Sequence, residues 1–474
     1  MAYQLLPFRF ERFNDDEYLL TNEVGEYIFL QNEDFYRFVK GDMDEHSDLF
    51  YDIASKQIAT TDNVEDVIHM LATKFRTKKS ILRDFTSLHM VVPTLRCNSS
   101  CIYCQVARKN MDDNSANMTK KTAKNVVRTI FQSPSPSIKI EFQGGDPSTD
   151  FEMVKYIIEE AEFQNLFKKR ILEFVICTNL TLLNEDMVKY LKKHNCMIST
   201  SLDGPKDLHD TNRPLQNKEL DHHAIFEKNL SMIRGVWDNK ECVSALMTTS
   251  KHSLGRFKDI IDEYVRLGFN NIFLRSLNPY GFAKQYKEKI AYPVEEFIEN
   301  YKEGLDYIIE LNKKGTFFIE GLAALLLKRM LTPFATGFVD LQSPAGVGIA
   351  GVIYDYDGNV YVSDEARMMA RFKNFYFKLG NVNENSYQDM FNGELLHDII
   401  ASSCTECLPM CSECVFQPYC GADPVRNMSE QGDMIGFRPT NEMCIKTKAI
   451  IRYLFELLKK HDPEINRIFW SWIK

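Results

Sequence analysis

The sequence has no apolar run near the roughly 18 residues a bilayer-crossing helix requires; the nearest, Leu322 to Leu327, is far too short, so no membrane partner is expected. It has no basic excess either, since 57 Lys and Arg stand against 66 Asp and Glu for a formal charge of -9. Capture of nucleic acid or of an anionic membrane needs the opposite sign, and nucleic acid is therefore not an expected partner. No internal repeat or low-complexity tract is present, and 44% apolar with 26% charged residues leaves little room for a long disordered tail. The start, Met1-Ala-Tyr-Gln-Leu-Leu-Pro-Phe-Arg-Phe, lacks the segments of a secretory signal, which gives a cytoplasmic expectation. In that reducing compartment the 12 cysteines are expected as thiols, ligands or catalytic groups rather than disulfides. At roughly 150 residues per domain, 474 residues allow two to four domains and a sizeable core, so any metal would be functional rather than a folding staple.

Residues 1–85 read as a small α+β module: Glu17-Tyr-Leu-Leu-Thr and Glu26-Tyr-Ile-Phe-Leu flank the hairpin signal Asn22-Glu-Val-Gly, and a helical pattern follows from Glu33. From Ser87 to Ser276 short apolar strands alternate with amphipathic helices, the pattern of a parallel sheet with crossover helices. Six strands are predicted, Leu88–Val92, Ile138–Phe142, Phe174–Cys177, Met197–Leu202, Val243–Thr248 and Ile272–Arg275, with helices that include Thr122–Phe131, Glu185–His194 and Phe257–Leu267. Periodicity alone leaves a partial barrel and an open sheet equally available. Residues 291–340 read as a helical bridge that bends near Lys314-Gly-Thr. A hairpin with an Asp-Gly turn spans Gly351 to Val362, cysteines replace regular periodicity up to 445, and a last helix occupies Lys446 to Lys460.

Nine of the cysteines are grouped. Cys97, Cys101 and Cys104 follow directly on the first strand, at the carboxyl edge where parallel α/β folds place their chemistry. No fourth cysteine or histidine lies nearby before Cys177, so a metal held here would keep one position open, unlike a closed structural zinc site. On a four-iron cluster, three thiolates would leave one iron free to bind a small molecule. Six more lie between Cys404 and Cys444; Cys411, Cys414, Cys420 and Cys444 supply four thiolates, a complete set for zinc or for an iron–sulfur cluster. Cys177, Cys196 and Cys242 stand among apolar neighbours and are expected as packed core thiols.

The spacing Cys-X3-Cys-X2-Cys, with Tyr103 before the last cysteine, closely resembles the signature of the radical SAM superfamily. The resemblance implies an α/β fold with a partial (β/α)6 barrel over residues 86–290 and a SAM-binding 4Fe-4S cluster on Cys97, Cys101 and Cys104. The free iron would chelate S-adenosylmethionine, whose reductive cleavage gives a 5′-deoxyadenosyl radical that takes a hydrogen from substrate. By the same resemblance Gly144, Gly145 and Asp146 match the Gly-Gly-Glu-Pro segment that contacts the methionine end of SAM, with Asp146 one methylene shorter than the usual Glu. Asn179, Ser201 and Arg275, at later strand ends, would face the SAM cavity.

Residues 341–445 resemble the SPASM domain of peptide-modifying relatives. Ser343, Ser363 and Pro424 stand where ligands of a first auxiliary cluster belong, while Cys411, Cys414, Cys420 and Cys444 match the second set, so one auxiliary 4Fe-4S cluster is implied. Cys404 and Cys407 fall outside the pattern. Asp364 occupies the place of a proposed proton acceptor in sulfatase-maturing relatives, although an exposed loop carboxylate would read the same way. Stretches such as Leu6-Pro-Phe-Arg-Phe, Asn278-Pro-Tyr-Gly-Phe-Ala and Tyr419-Cys-Gly-Ala-Asp-Pro-Val are similar to the HxsB subfamily of His-Xaa-Ser system maturases. That likeness implies a ribosomally made precursor polypeptide of the His-Xaa-Ser repeat type as substrate, a paired second radical SAM protein, a flavodoxin- or ferredoxin-type electron donor, and an amino-terminal module that holds peptide by strand addition. The competing readings are a maturase of another protein target, such as a sulfatase, and a zinc-stabilised scaffold.

Overall fold

Five parallel strands follow one another in space as in sequence: Leu88–Thr94, Ser137–Gly144, Ile171–Cys177, Cys196–Ser201 and Val243–Leu246. They belong to a computed structural model that describes residues 3–278, 280 and 287–473. In the second strand Ile138, Ile140 and Phe142 are fully buried under the crossover helices, while Lys139, Glu141 and Gln143 alternate onto the other face. The helix Lys120–Ile130 shows why the layers adhere. Thr119 caps it by accepting from the Thr122 amide at 3.2 Å, and Ala123, Val126, Val127 and Ile130 make the buried stripe, each larger side chain worth about 1.5–3 kcal/mol. The helix Phe151–Lys168 packs beside it, and Glu185–Lys193, His222–Trp237 and Phe257–Arg266 cover later strands.

The sixth predicted strand forms differently. Only Asn271–Ile272 is extended, and it pairs with Ile319–Glu320 rather than with the main sheet. The Leu274 amide, which a continued ladder would have used, donates instead to the buried Glu320 carboxylate at 3.0 Å, and the Thr249 amide to Arg275 carbonyl bond (2.9 Å) joins this segment to the chain just beyond the fifth strand. The other edge of the sheet is extended instead. Gly351–Tyr354 pairs parallel to Leu88–Thr94 and continues through the hairpin to Asn359–Tyr361 and Lys378–Asn381, making eight strands. The carboxyl-terminal region thus shares one sheet with the five parallel strands.

Two helices, Val294–Lys313 and Gly321–Leu331, flank the predicted bend. The last helices, Glu442–Lys459 and Pro463–Trp472, pack against them. At the amino end, Phe8–Arg12, Glu17–Asn22 and Tyr27–Gln31 form an antiparallel sheet whose Phe13 and Leu19 join the main core, and Tyr27 and Phe29 meet Phe455 edge to face. Among the described residues no helix is long and apolar enough to cross a membrane. Of Asn278-Pro-Tyr-Gly-Phe-Ala, Pro279 and residues 281–283 lie outside the described residues.

Candidate active site

The loop that carries Cys97, Cys101 and Cys104 leaves the first strand and is tied down by its own backbone. The Cys97 amide reaches the Lys109 carbonyl, Ser100 reaches Pro214, Ile102 reaches Asn212, and Cys104 turns back to Cys101. Burial raises the thiols of Cys97 and Cys101, the latter to about 11, and each sulfur's charge further opposes ionisation of its neighbours. The buried Arg213 guanidinium pulls the other way on Cys101. Arg213 is itself fixed by an ion pair to Asp203 at 3.1 Å and stacks 5.2 Å from the centre of the Tyr103 ring, whose hydroxyl donates to the same carboxylate. Tyr103 therefore braces the loop through Asp203.

Gly144 and Gly145 serve a close approach of backbones. A Cβ at Gly144, where φ is +122°, would meet the Thr94 carbonyl oxygen at 2.5 Å, and one at Gly145 would run into the Arg96 carbonyl. The amides of Gly145 and Asp146 are used on the carbonyls of Thr94 and Arg96, so the turn has acceptor oxygens left to offer, which suits an ammonium group. The Asp146 carboxylate is buried and accepts from the Ser148 amide and hydroxyl, the Thr178 hydroxyl and the Asn179 amide. Asn179 in turn donates to Asn98 and Ser99 in the cysteine loop, both at 2.8 Å. These side chains lock three strand ends to one another. Ser201 is half-buried at the end of its strand.

In the carboxyl-terminal region the charge of Cys444, Cys414 and Cys411 weighs on Cys420, whose thiol is raised to about 12, first by burial; Cys444 senses Cys411 and Cys414 in the same way. Four sulfurs from 34 residues of chain are thus neighbours. Cys404 and Cys407 stand apart: Cys404 donates to Glu406 at 3.3 Å and Cys407 is exposed. The positions without cysteine have other work. Ser343 bonds Glu406 and the Thr405 amide, Ser363 caps the helix Asp364–Ala370, and Pro424 opens the helix Pro424–Gln431.

Between the strand ends and this region lies a cavity of about 400 Å³. Glu141, Gln143, Cys177 and Ser199 line it from the sheet, Arg275 and Tyr280 from the segment after the fifth strand, and Asp340, Asp364, Glu365, Asp423, Arg426 and Lys446 from the carboxyl-terminal half. Cys177 corrects the expectation of a packed core thiol: Phe174 and Ile176 take the helix-facing side of its strand, so Cys177 alternates into the cavity and donates to Glu141 at 3.5 Å, whereas Cys196 and Cys242 are buried as expected. Asp364 is no isolated loop carboxylate. It lies at the start of a helix and hydrogen-bonds Glu365, whose carboxyl is raised well above the usual range by burial and by the Asp364 charge. Asp423 is pushed up to about 6 by burial and by Asp340. Sequence reasoning missed Asp340, Glu365, Asp423, Arg426, Lys446 and Tyr280, because they come from well-separated segments with no shared motif. The adjacent pair Asp364-Glu365 and the short step from Cys420 to Asp423 were the available signals.

Residues 91–292 match the model of the Radical SAM superfamily, and that segment is a radical SAM domain. The chain is an enzyme that contains this domain, which works with a 4Fe-4S cluster and S-adenosylmethionine, and its cysteine-rich carboxyl-terminal region is consistent with a SPASM-like domain. It is 24% identical, over 72% of its own length and 88% of the relative's, to the cysteine-type anaerobic sulfatase-maturating enzyme of Clostridium novyi. The radical SAM cyclopropyl synthase TigE of Paramaledivibacter caminithermalis is 24% identical over 46% of each chain. Among solved structures, native anSMEcpe with bound AdoMet aligns with a TM-score of 0.64 at 19% identity, covering 80% of this chain and 99% of that one. Streptococcus suis SuiB bound to its precursor peptide SuiA aligns with a TM-score of 0.54 at 14% identity, covering 93% and 99%. These two likenesses concern the fold.

Proposed function

We propose that the chain is a maturase that modifies a ribosomally made polypeptide, with a His-Xaa-Ser repeat precursor as its substrate. The observation that carries the reading is the cavity itself, which lies between Glu141, Gln143, Cys177 and Ser199 toward the carboxyl edge of the sheet and a wall built by the carboxyl-terminal half. In this reading Cys97, Cys101 and Cys104 hold the SAM-binding cluster, and Cys411, Cys414, Cys420 and Cys444 hold one auxiliary 4Fe-4S cluster. When bound, the first cluster and SAM supply the radical that takes a hydrogen from substrate. The Gly144 and Gly145 carbonyls orient the SAM ammonium, Ser201 and Arg275 border the nucleotide and substrate, and Asp364 accepts a proton from the oxidised substrate. A flavodoxin- or ferredoxin-type carrier provides the electron, and a second radical SAM protein works beside it. A cytoplasmic setting suits its twelve free cysteines.

Maturation of a sulfatase is the second reading, favoured by the relative from Clostridium novyi. Against it stand Ser343, Ser363 and Pro424, each engaged in local structure at a place where a first auxiliary cluster would need thiolate. The test is co-expression of the enzyme with a synthetic gene for a His-Xaa-Ser repeat peptide, followed by mass spectrometry of the peptide product. A loss of two mass units, or an unchanged mass in H2O with a gain of non-exchangeable deuterium in D2O, supports peptide maturation. An unmodified peptide together with conversion of a sulfatase-derived cysteine or serine peptide would replace it with the second reading.

A further inference from the structure

Five carboxylates line the cavity, Glu141, Asp340, Asp364, Glu365 and Asp423, against three cations, Arg275, Arg426 and Lys446. Glu141 is engaged by the Gln143 amide and the Cys177 thiol. Asp340 faces Arg275 and Lys446. Arg426 is shared outward, with Glu430 at 2.7 Å and Glu442 at 3.6 Å. Among the described residues Asp364, Glu365 and Asp423 form no ion pair within 4.0 Å. Tyr280 lines the same cavity, is 3% exposed, and its hydroxyl has no hydrogen-bond partner among the described residues. A phenol buried this deeply ordinarily finds one.

Resting on the reading of the chain as a polypeptide maturase, we propose that Tyr280, Asp364, Glu365 and Asp423 form the pocket for a positively charged side chain of the substrate, a guanidinium or ammonium group. Such a group brings several N–H donors, and the patch offers six carboxylate oxygens and a phenol oxygen as acceptors. In a site withdrawn from water these charge-assisted bonds are strong. The side chain would also add positive charge to a patch where Arg426 is the cation acting on Asp423 and none of the three acids forms an ion pair among the described residues. In the empty pocket, burial holds Glu365 and Asp423 toward their protonated forms, which is how an uncompensated acidic cluster persists. SAM's own positive charge is not the match, because Gly144, Gly145, Asp146, Asn179 and the three cysteines of the loop do not line this cavity.

The test uses the full-length enzyme, reconstituted anaerobically and saturated with SAM without reductant. Isothermal titration measures four synthetic peptides, acetyl-Gly-Ala-X-Ala-Gly-amide with X as arginine, citrulline, lysine or norleucine. At least one charged peptide is expected to bind about tenfold or more tightly than its neutral counterpart. The double variant Glu365→Gln, Asp423→Asn should abolish that preference and Tyr280→Phe should reduce it, whereas Glu384→Gln at an exposed position should leave it intact. Equal affinities within both pairs, absence of binding by all four, or a preference that survives the double variant overturns the proposal. Each variant is checked by its circular-dichroism melt; should the double variant fail to fold, Tyr280→Phe and Asp364→Asn decide, and a preference unchanged in both overturns the proposal. Cleavage of SAM to 5′-deoxyadenosine by the reduced wild-type enzyme is scored separately. Its absence removes the enzymatic reading, while cleavage without charge preference removes only this pocket.

Discussion

Gly145 shows how one residue can look like a ligand contact and act as a packing device. In the sequence its motif is a turn open to a ligand; in the fold it lets two backbones touch, with no room for a Cβ beside the Arg96 carbonyl. Gly145→Ala is therefore expected to destabilise the protein by about 1–3 kcal/mol, in the range of overpacking, as a lowered thermal midpoint of the apoprotein. Asp146 was legible as a motif member but not as the acceptor that joins three strand ends, because its partners Thr178 and Asn179 lie 32 and 33 residues on. The cysteines were legible, since thiolate chemistry depends on residue type and spacing. Cys411→Ala should remove the auxiliary cluster and Cys407→Ala should leave most of it, measured as iron per chain after reconstitution. Equal loss in the two would redraw the ligand set. Changing Cys97, Cys101 and Cys104 together to Ala should remove about half the iron and all SAM cleavage.

Among the elements, the amino-terminal sheet forms where its sequence pattern placed it and also packs against distant segments. Turn signals present residues 1–85 as a module of their own, yet the sheet braces the cysteine-rich segment directly. The Arg9 guanidinium donates to the Ser412 carbonyl at 2.5 Å, the Thr21 hydroxyl to Val415 at 2.8 Å, and the Tyr419 hydroxyl to Gly25 at 2.9 Å. Arg452 and Lys459 of the long carboxyl-terminal helix pair with Glu11 and Glu17. A truncation that removes residues 1–31 would uncover Phe455 and release the backbone on both sides of Cys414. It is expected to lower auxiliary-cluster iron and the thermal midpoint together, rather than affect peptide binding alone; iron analysis and a melt of the truncated enzyme check this. The sixth strand is the converse case: Ile272–Arg275 has strand composition, but a buried side-chain acceptor 46 residues away, Glu320, captures its amide. Periodicity reports which face is apolar and carries no information about a competing acceptor.

For the whole molecule, the buried histidines contribute to the response to acid. Burial holds His89 down to about 3, and His209 and His222 below their ordinary value. Between pH 6.5 and the folded value the unfolded chain binds the extra protons, so the stability these groups contribute is present above pH 6.5 and is lost as pH falls. His89 alone should cost on the order of 2–3 kcal/mol between pH 6.5 and 4.5. Raised carboxyls such as Asp423 and Glu320 have the opposite slope, so the comparison is made with His89→Leu: its thermal midpoint should fall less steeply over that interval than the wild type's. Parallel pH profiles would show that His89 does not stay neutral in the folded protein.

The sequence by itself determined the class of fold and the two groupings of cysteines. Alternating apolar strands and amphipathic helices can bury their faces in few ways, and three thiols in one loop after a strand are placed by the chain a few residues at a time. Those features are local. The tertiary structure alone decided what surrounds them: the sheet extended by Gly351–Tyr354 instead of Ile272–Arg275, the bracing of the cysteine-rich segment by the amino-terminal sheet, and the cavity that draws Glu141, Arg275, Tyr280, Asp340, Glu365, Asp423 and Lys446 together. A buried charge is tolerated only where distant partners, burial and counter-charge meet, and those conditions are set by which surfaces pack, not by neighbours in the chain.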